Sequence, residues 1–121
     1  MEYKHKEVTE KIINAAYTVH NTLGQGFLEK VYHNALAIEL KEAGFAVEME
    51  KPLVVRYRGQ LVGEYYADIV VDGKVIVEIK ATESHNPAYE AQLINYLKAT
   101  DIKVGLLVNF NKRVDVKRMV F

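Results

Sequence analysis

Val8, Ile12, Ala15, Val19 and Leu23 recur three and four residues apart, the spacing that lines one face of an α-helix, and Gly24-Gln25-Gly26 ends the run. A second helical pattern covers about residues 28–43, with Val31, Ala35, Leu36, Ile38 and Leu40 apolar and Gly44 as its C-terminal stop. Residues 45–50 then alternate as a strand until Lys51-Pro52 interrupts it. The following stretch is dense in β-branched and aromatic residues. It reads as strands at 53–57, 61–71 and 74–80, with turns at Arg58-Gly59-Gln60 and Asp72-Gly73. Pro87 opens a third helix at its favoured first-turn position, running to about Thr100. Residues 104–110 are mostly apolar, as in a strand buried on both faces, and 114–121 form a last strand. The order ααββββαββ predicts an α/β domain with a mixed central sheet flanked by helices. Its β-helix-β crossover makes strand 74–80 and strand 104–110 a parallel pair.

The Asp72-Gly73 turn decides which side chains meet, because a one-residue slip in register moves every side chain to the other face. A two-residue loop pairs Val71 with Lys74 and sends Asp68 and Glu78 to opposite faces. A three-residue loop, Val71-Asp72-Gly73, pairs Val70 with Lys74 and leaves Gly73 in the left-handed region. In that register Ala67, Ile69, Val71, Val75, Val77 and Ile79 share one face, and Tyr66, Asp68, Ile76, Glu78 and Lys80 share the other. Apolar and polar residues segregate only with the odd loop, so the pattern selects it.

Two acids and a lysine then become neighbours on an apolar sheet, where charge is costly unless it pairs or binds a metal. One reading is a partly exposed salt-bridge cluster. The other is a site for Mg²⁺ or Mn²⁺, hard cations for which one or two carboxylates suffice because water and phosphate oxygens complete the coordination. Such an ion polarises a phosphodiester and activates water, and Lys80 would position that water or offset developing charge. His5, His20, His33 and His85 lack any zinc-site spacing.

Composition narrows the setting. With 121 residues, 50% of them hydrophobic, residues 1–121 make one domain with one core. The absence of cysteine removes disulfides and thiolate metal sites, and the charged first ten residues lack a signal-peptide pattern, so the expected compartment is the cytoplasm with no membrane anchor. Lys plus Arg equals Asp plus Glu at 16 each, unlike a dedicated duplex binder. Residues 1–50 carry 5 basic and 8 acidic side chains and residues 51–121 carry 11 and 8. Lys112, Arg113, Lys117 and Arg118 concentrate the excess, either as a charged edge strand or as a phosphate-contacting patch.

Asp68, Glu78 and Lys80, with the spacing Asp-x9-Glu-x-Lys on a hairpin followed by a helix and a strand, resemble the PD-(D/E)xK nuclease superfamily. Gly26-Phe27-Leu28-Glu29-Lys30-Val31-Tyr32 resembles the motif of its GxxExxY family of small prokaryotic proteins. Further similar blocks are Ala67-Asp68, 77–81, 92–97 and 107–110. Ala67 stands where the superfamily's namesake proline would be. The resemblance implies a restriction-endonuclease-like fold and Mg²⁺ or Mn²⁺ held by Asp68, Glu78, the Ile79 carbonyl and Glu29. It implies catalytic roles for Asp68, Glu78, Glu29 and the lysine Lys80. Gln92 and Tyr96 match the Gln-x-x-x-Tyr element of RecB-type nucleases, which implies that they contact substrate or brace the site, and Tyr32 is expected to join them at the substrate. Taken alone, Glu29 is equally a helix-start acid and Gln92 with Tyr96 an ordinary core-edge pair. The implied substrate is nucleic acid, DNA favoured over RNA. A homodimer or protein partner would complete the substrate groove of so short a chain, and the rival reading is a non-catalytic interaction module on the same fold.

Overall fold

The structure is a computed structural model describing residues 4–121; residues 1–3 of the charged N-terminal segment lie outside it. Its elements are α1 (Lys6–Leu23), α2 (Glu29–Glu42), β1 (Val47–Tyr57), β2 (Gln60–Val71), β3 (Val75–Lys80), α3 (Pro87–Lys98), β4 (Val104–Phe110) and β5 (Val114–Val120). One sheet runs in the order β1-β2-β3-β4-β5. Only β3 and β4 are parallel, as the helical crossover between them requires, and the other neighbours are antiparallel. No helix among the described residues is long and apolar enough to cross a membrane.

Three helices cover the two faces of the sheet. On one, Ile12, Ala16 and Val19 of α1 and Leu36 and Leu40 of α2 pack against Ile69, Val77, Ile79, Leu106 and Val108. On the other, Leu93, Tyr96 and Leu97 of α3 pack against Leu53, Val70, Ile76 and Leu107. The central strands are therefore apolar on both faces, which is why β3 and β4 are buried over most of their length. At the start of α3 Asn86 accepts a hydrogen bond from the Ala88 N–H at 2.9 Å, with Pro87 behind it.

The predicted break at Lys51-Pro52 does not occur, so three strands rather than four precede α3. Because β1 lies at the sheet edge, Pro52 can sit in the strand without removing a bond from a central ladder. The odd hairpin loop and the positive φ of Gly73, at 63°, agree with expectation, but the loop sits one step on: Val71 pairs with Val75, and Asp72, Gly73 and Lys74 lie between. The register differs from the expected one by two residues, so its parity and the facing of side chains on β3 survive.

One local expectation fails. Ala67 packs in the α3-side cluster with Leu53 and Val70, and Tyr65 rather than Tyr66 lies against Tyr96. The alternation of β2 slips at Asp68, where the facing residue Glu50 of β1, between the pairs Met49 with Ile69 and Lys51 with Ala67, takes φ +50°. A left-handed glutamate costs on the order of 1–3 kcal/mol, and an ion pair with Lys30 of α2 holds it.

At the other edge of the sheet the C-terminal basic cluster is partly spent on the fold. Lys117 bonds Glu90 at 2.9 Å and Arg118 donates to the Lys4 carbonyl, while Lys112 and Arg113 are exposed at the β4–β5 turn.

The α3 crossover approaches β4 so closely that a Cβ at Gly105 would lie 2.8 Å from Leu93 Cδ1 and 3.0 Å from Cγ. Gly105→Ala is expected to destabilise the fold by about 1–3 kcal/mol in urea denaturation. The loss should shrink when Leu93→Ala makes room in the same chain.

Candidate active site

The ladder between β2 and β3 ends at the pair Ile69 with Val77. Beyond it, side chains replace backbone partners. Asp68 N–H donates to Glu78 Oε2 at 2.8 Å, and Ile79 N–H donates to Asp68 Oδ2 at 2.8 Å. Each strand's acid thus accepts a main-chain hydrogen from the other strand. Asp68 Oδ1 and Glu78 Oε1 stand outside these two bonds.

Glu78 is only 3% exposed, and burial first, then the charge of Asp68, pushes its carboxyl up to about 8. The Asp68 N–H and Lys80 pull the other way without cancelling burial. Lys80, half-buried, holds its ammonium 4.6 Å from the ring centre of Tyr89 on α3 instead of in an ion pair with either carboxylate. The charge of Asp68 works against ionised Glu78, and Lys80 relieves it through space without a direct contact.

Helix α2 brings in Glu29 and His33. Glu29 is an exposed first-turn acid at the rim whose carboxyl is raised by partial desolvation and by Asp68, against the pull of Lys80 and His33. His33 is buried and its Nε2 lies 2.8 Å from the Asp68 carbonyl oxygen. A carbonyl can only accept, so Nε2 carries the proton and α2 is tied to β2 at Asp68 itself. His33 falls one turn from Glu29, a spacing visible in the sequence. Nothing in the sequence pointed to Glu50.

Tyr32 needs a correction. It is fully buried, stacked on Phe110 at 4.6 Å, with its hydroxyl donating to the Gly24 carbonyl at 2.6 Å and accepting from the Phe27 N–H at 3.3 Å. No surface is left for substrate. Instead Tyr32 fastens the α1–α2 loop, in which Gly26 has φ +105°, and so sets where Glu29 begins its helix.

Tyr96 lies 3% exposed on α3, and burial first, then Glu78 and Asp68, pushes its hydroxyl up to about 12, so it stays a neutral donor beside the acids. Gln92, half-buried one turn earlier, makes no side-chain hydrogen bond to a described residue. Ile79 is fully buried, with its N–H spent on Asp68.

A family model for the PD-(D/E)XK nuclease superfamily matches residues 6–119, almost the whole chain. The chain belongs to that superfamily. Its fold agrees with those of two solved structures. The protein SSO0001 is 23% identical, with a TM-score of 0.62 over 94% of this chain, which spans 57% of that protein's length. An alkaline exonuclease, LHK-Exo from Laribacter hongkongensis, is 14% identical, with a TM-score of 0.55 over 99% of this chain and 72% of its own. No curated protein matches the chain. As a member of the PD-(D/E)XK nuclease superfamily, it has a mixed five-stranded sheet with flanking helices in the restriction-endonuclease-like arrangement.

Among the described residues no three His, Cys, Asp or Glu side chains form a ready cation cage. The donor set still suits a hard divalent ion, since two carboxylates are the usual protein share of a Mg²⁺-type site. Their mutual repulsion and burial are the cost such an ion would relieve.

The raised carboxyl of Glu78 has a measurable consequence. In the unfolded chain it ionises near 4.5 and in the fold near 8, so the unfolded state sheds its proton first and metal-free stability falls as pH rises between those values. Glu78→Gln should therefore raise the melting temperature measured with chelator at about pH 9 and leave it nearly unchanged at about pH 5.

Proposed function

We propose that the chain is a Mg²⁺- or Mn²⁺-dependent nuclease that hydrolyses phosphodiester bonds of nucleic acid, DNA in preference to RNA, with Asp68 and Glu78 as ligands and Lys80 as the catalytic lysine. The observation that carries the reading is the interlocked Asp68–Glu78 pair, two part-buried carboxylates beside Lys80 in a PD-(D/E)XK chain. The solved alkaline exonuclease of like fold supports it. When bound, the ion supplies Lewis-acid polarisation of the phosphate and a more acidic water.

The protein's own groups supply the rest. Asp68 and Glu78 would hold the ion, with the Ile79 carbonyl and the rim carboxylate of Glu29 as further oxygen donors. Lys80, its ammonium over the Tyr89 ring, would hold the attacking water and offset negative charge that builds on the phosphate oxygens. Tyr96 keeps its proton and donates toward substrate, joined by Gln92 from the preceding turn. His33 and Tyr32 position the acids without touching substrate. We assign the chain to the GxxExxY group of RecB-like members on Gly26, Glu29 and Tyr32, whose structural roles at one loop fit a single motif. The cytoplasm is its proposed compartment. A second copy or a protein partner would extend the substrate surface of this short domain.

Hydrolysis of labelled single- and double-stranded DNA and RNA with Mg²⁺ or Mn²⁺, beside a chelator control, tests the proposal. Lys80→Ala should lower the rate by on the order of 10² to 10³ and leave divalent-ion affinity largely intact, whereas Asp68→Ala should remove both. A wild-type protein that binds no divalent ion and cleaves nothing would leave the interaction module as the function.

A further inference from the structure

From the candidate site, the β1–β2 hairpin runs outward along the sheet edge, and α3 passes beside its inner face. Between them lies a groove of about 330 Å³ lined by Val55, Tyr65, Asn95, Lys98 and Ala99. It neighbours the acids through one ring contact: the Tyr65 ring lies 5.6 Å from the ring of Tyr96, the residue whose hydroxyl feels the charges of Glu78 and Asp68. Asp68 lies three positions after Tyr65 on β2, about 10 Å of extended chain.

The lining is mixed in a particular way. Tyr65 is 42% exposed, presenting ring surface to solvent. The Asn95 carboxamide makes no hydrogen bond to a described residue, which leaves a donor and an acceptor for a ligand. Lys98, exposed, contributes a cation whose contact within the protein is the Phe121 ring at 5.9 Å. Gly63 lies beside two of these residues, since a Cβ there would sit 3.7 Å from Tyr65 Cε2 and 3.8 Å from Val55 Cβ. A flat π-face, an edge of donors and acceptors, and a negative charge together describe a nucleotide.

We propose that this groove seats an unpaired base of the polynucleotide, stacked on Tyr65 with its edge toward Asn95 and a phosphate near Lys98, next to the phosphate held at the Asp68–Glu78 site. The base must be unpaired, because pairing occupies the edge that Asn95 would read and duplex stacking covers the face that Tyr65 needs. The site therefore takes single-stranded nucleic acid. This rests on the nuclease reading above and adds the strand state of its substrate.

Fluorescence anisotropy in chelator, with a labelled single-stranded DNA and a blunt duplex of the same sequence, tests it apart from cleavage. Gly63→Val adds bulk against Tyr65 and Val55 without removing a side chain, and Gly63 has no positive φ to forbid a β-branched residue. Gly63→Val and Tyr65→Ala should each weaken single-strand binding about tenfold or more. Tyr65→Phe, which keeps the stacking face, should bind as wild type does, and duplex binding should not change in any variant. Circular dichroism melts show whether each variant folds. Wild-type single-strand affinity in Gly63→Val and Tyr65→Ala, or equal loss on single strand and duplex, overturns the groove. If those variants bind normally while the wild type cleaves with Mg²⁺ or Mn²⁺, the groove alone fails and the nuclease reading stands. A wild type that neither binds nor cleaves overturns both.

Discussion

The structure turns on the place where β2 and β3 stop pairing as strands and two carboxylates take over the pairing. Asp68 and Glu78 each accept the main-chain hydrogen of the opposite strand at 2.8 Å, so the acids are fixed by the same backbone that they hold together. This cannot be cheap. Glu78 is nearly inaccessible to water and sits beside a second acid, which is why its carboxyl holds a proton up to about 8. Much of the surrounding architecture serves that spot: His33 anchors the Asp68 carbonyl to α2, Lys80 lends positive charge from over Tyr89, and Tyr32 secures the loop that delivers Glu29. A fold arranged around an electrostatically unfavourable pair is the expected signature of a site kept for chemistry.

The hairpin was legible because β-sheet parity is a strong constraint. Val75, Val77 and Ile79 had to face one way, so Glu78 and Lys80 had to face the other, whatever the loop. Parity fixes the register only modulo two, and the loop lies one step further on than the pattern placed it. The slip at Asp68 was invisible for a related reason. It depends on a left-handed Glu50 across the ladder, stabilised by Lys30 from a helix 20 residues earlier, and no local pattern announces a strained residue whose compensation is tertiary.

Pro52 shows the same limit from the other side. Proline argues against a strand only if the strand is interior, and β1 became an edge through pairings that local sequence does not reveal. Tyr32 could be placed on the face of its helix by spacing, yet whether that face meets substrate or core depends on where Phe110 arrives, 78 positions later in the chain. By contrast, the amphipathic pattern of α1 and the Asn86-Pro87 start of α3 are local devices, and both appear where the sequence puts them. The Tyr65–Asn95–Lys98 groove joins residues of the hairpin and of α3 across the sheet, so it was accessible only from the fold.

We propose that the Asp68–Glu78 pair holds a divalent cation. Titration calorimetry of Mn²⁺ into the protein, repeated in buffers of different ionisation enthalpy, tests it by counting protons. The account predicts binding that releases close to one proton per ion near pH 7, where Glu78 is still protonated without metal, and none near pH 9. Binding without proton release near pH 7, or no binding at millimolar Mn²⁺, would contradict it.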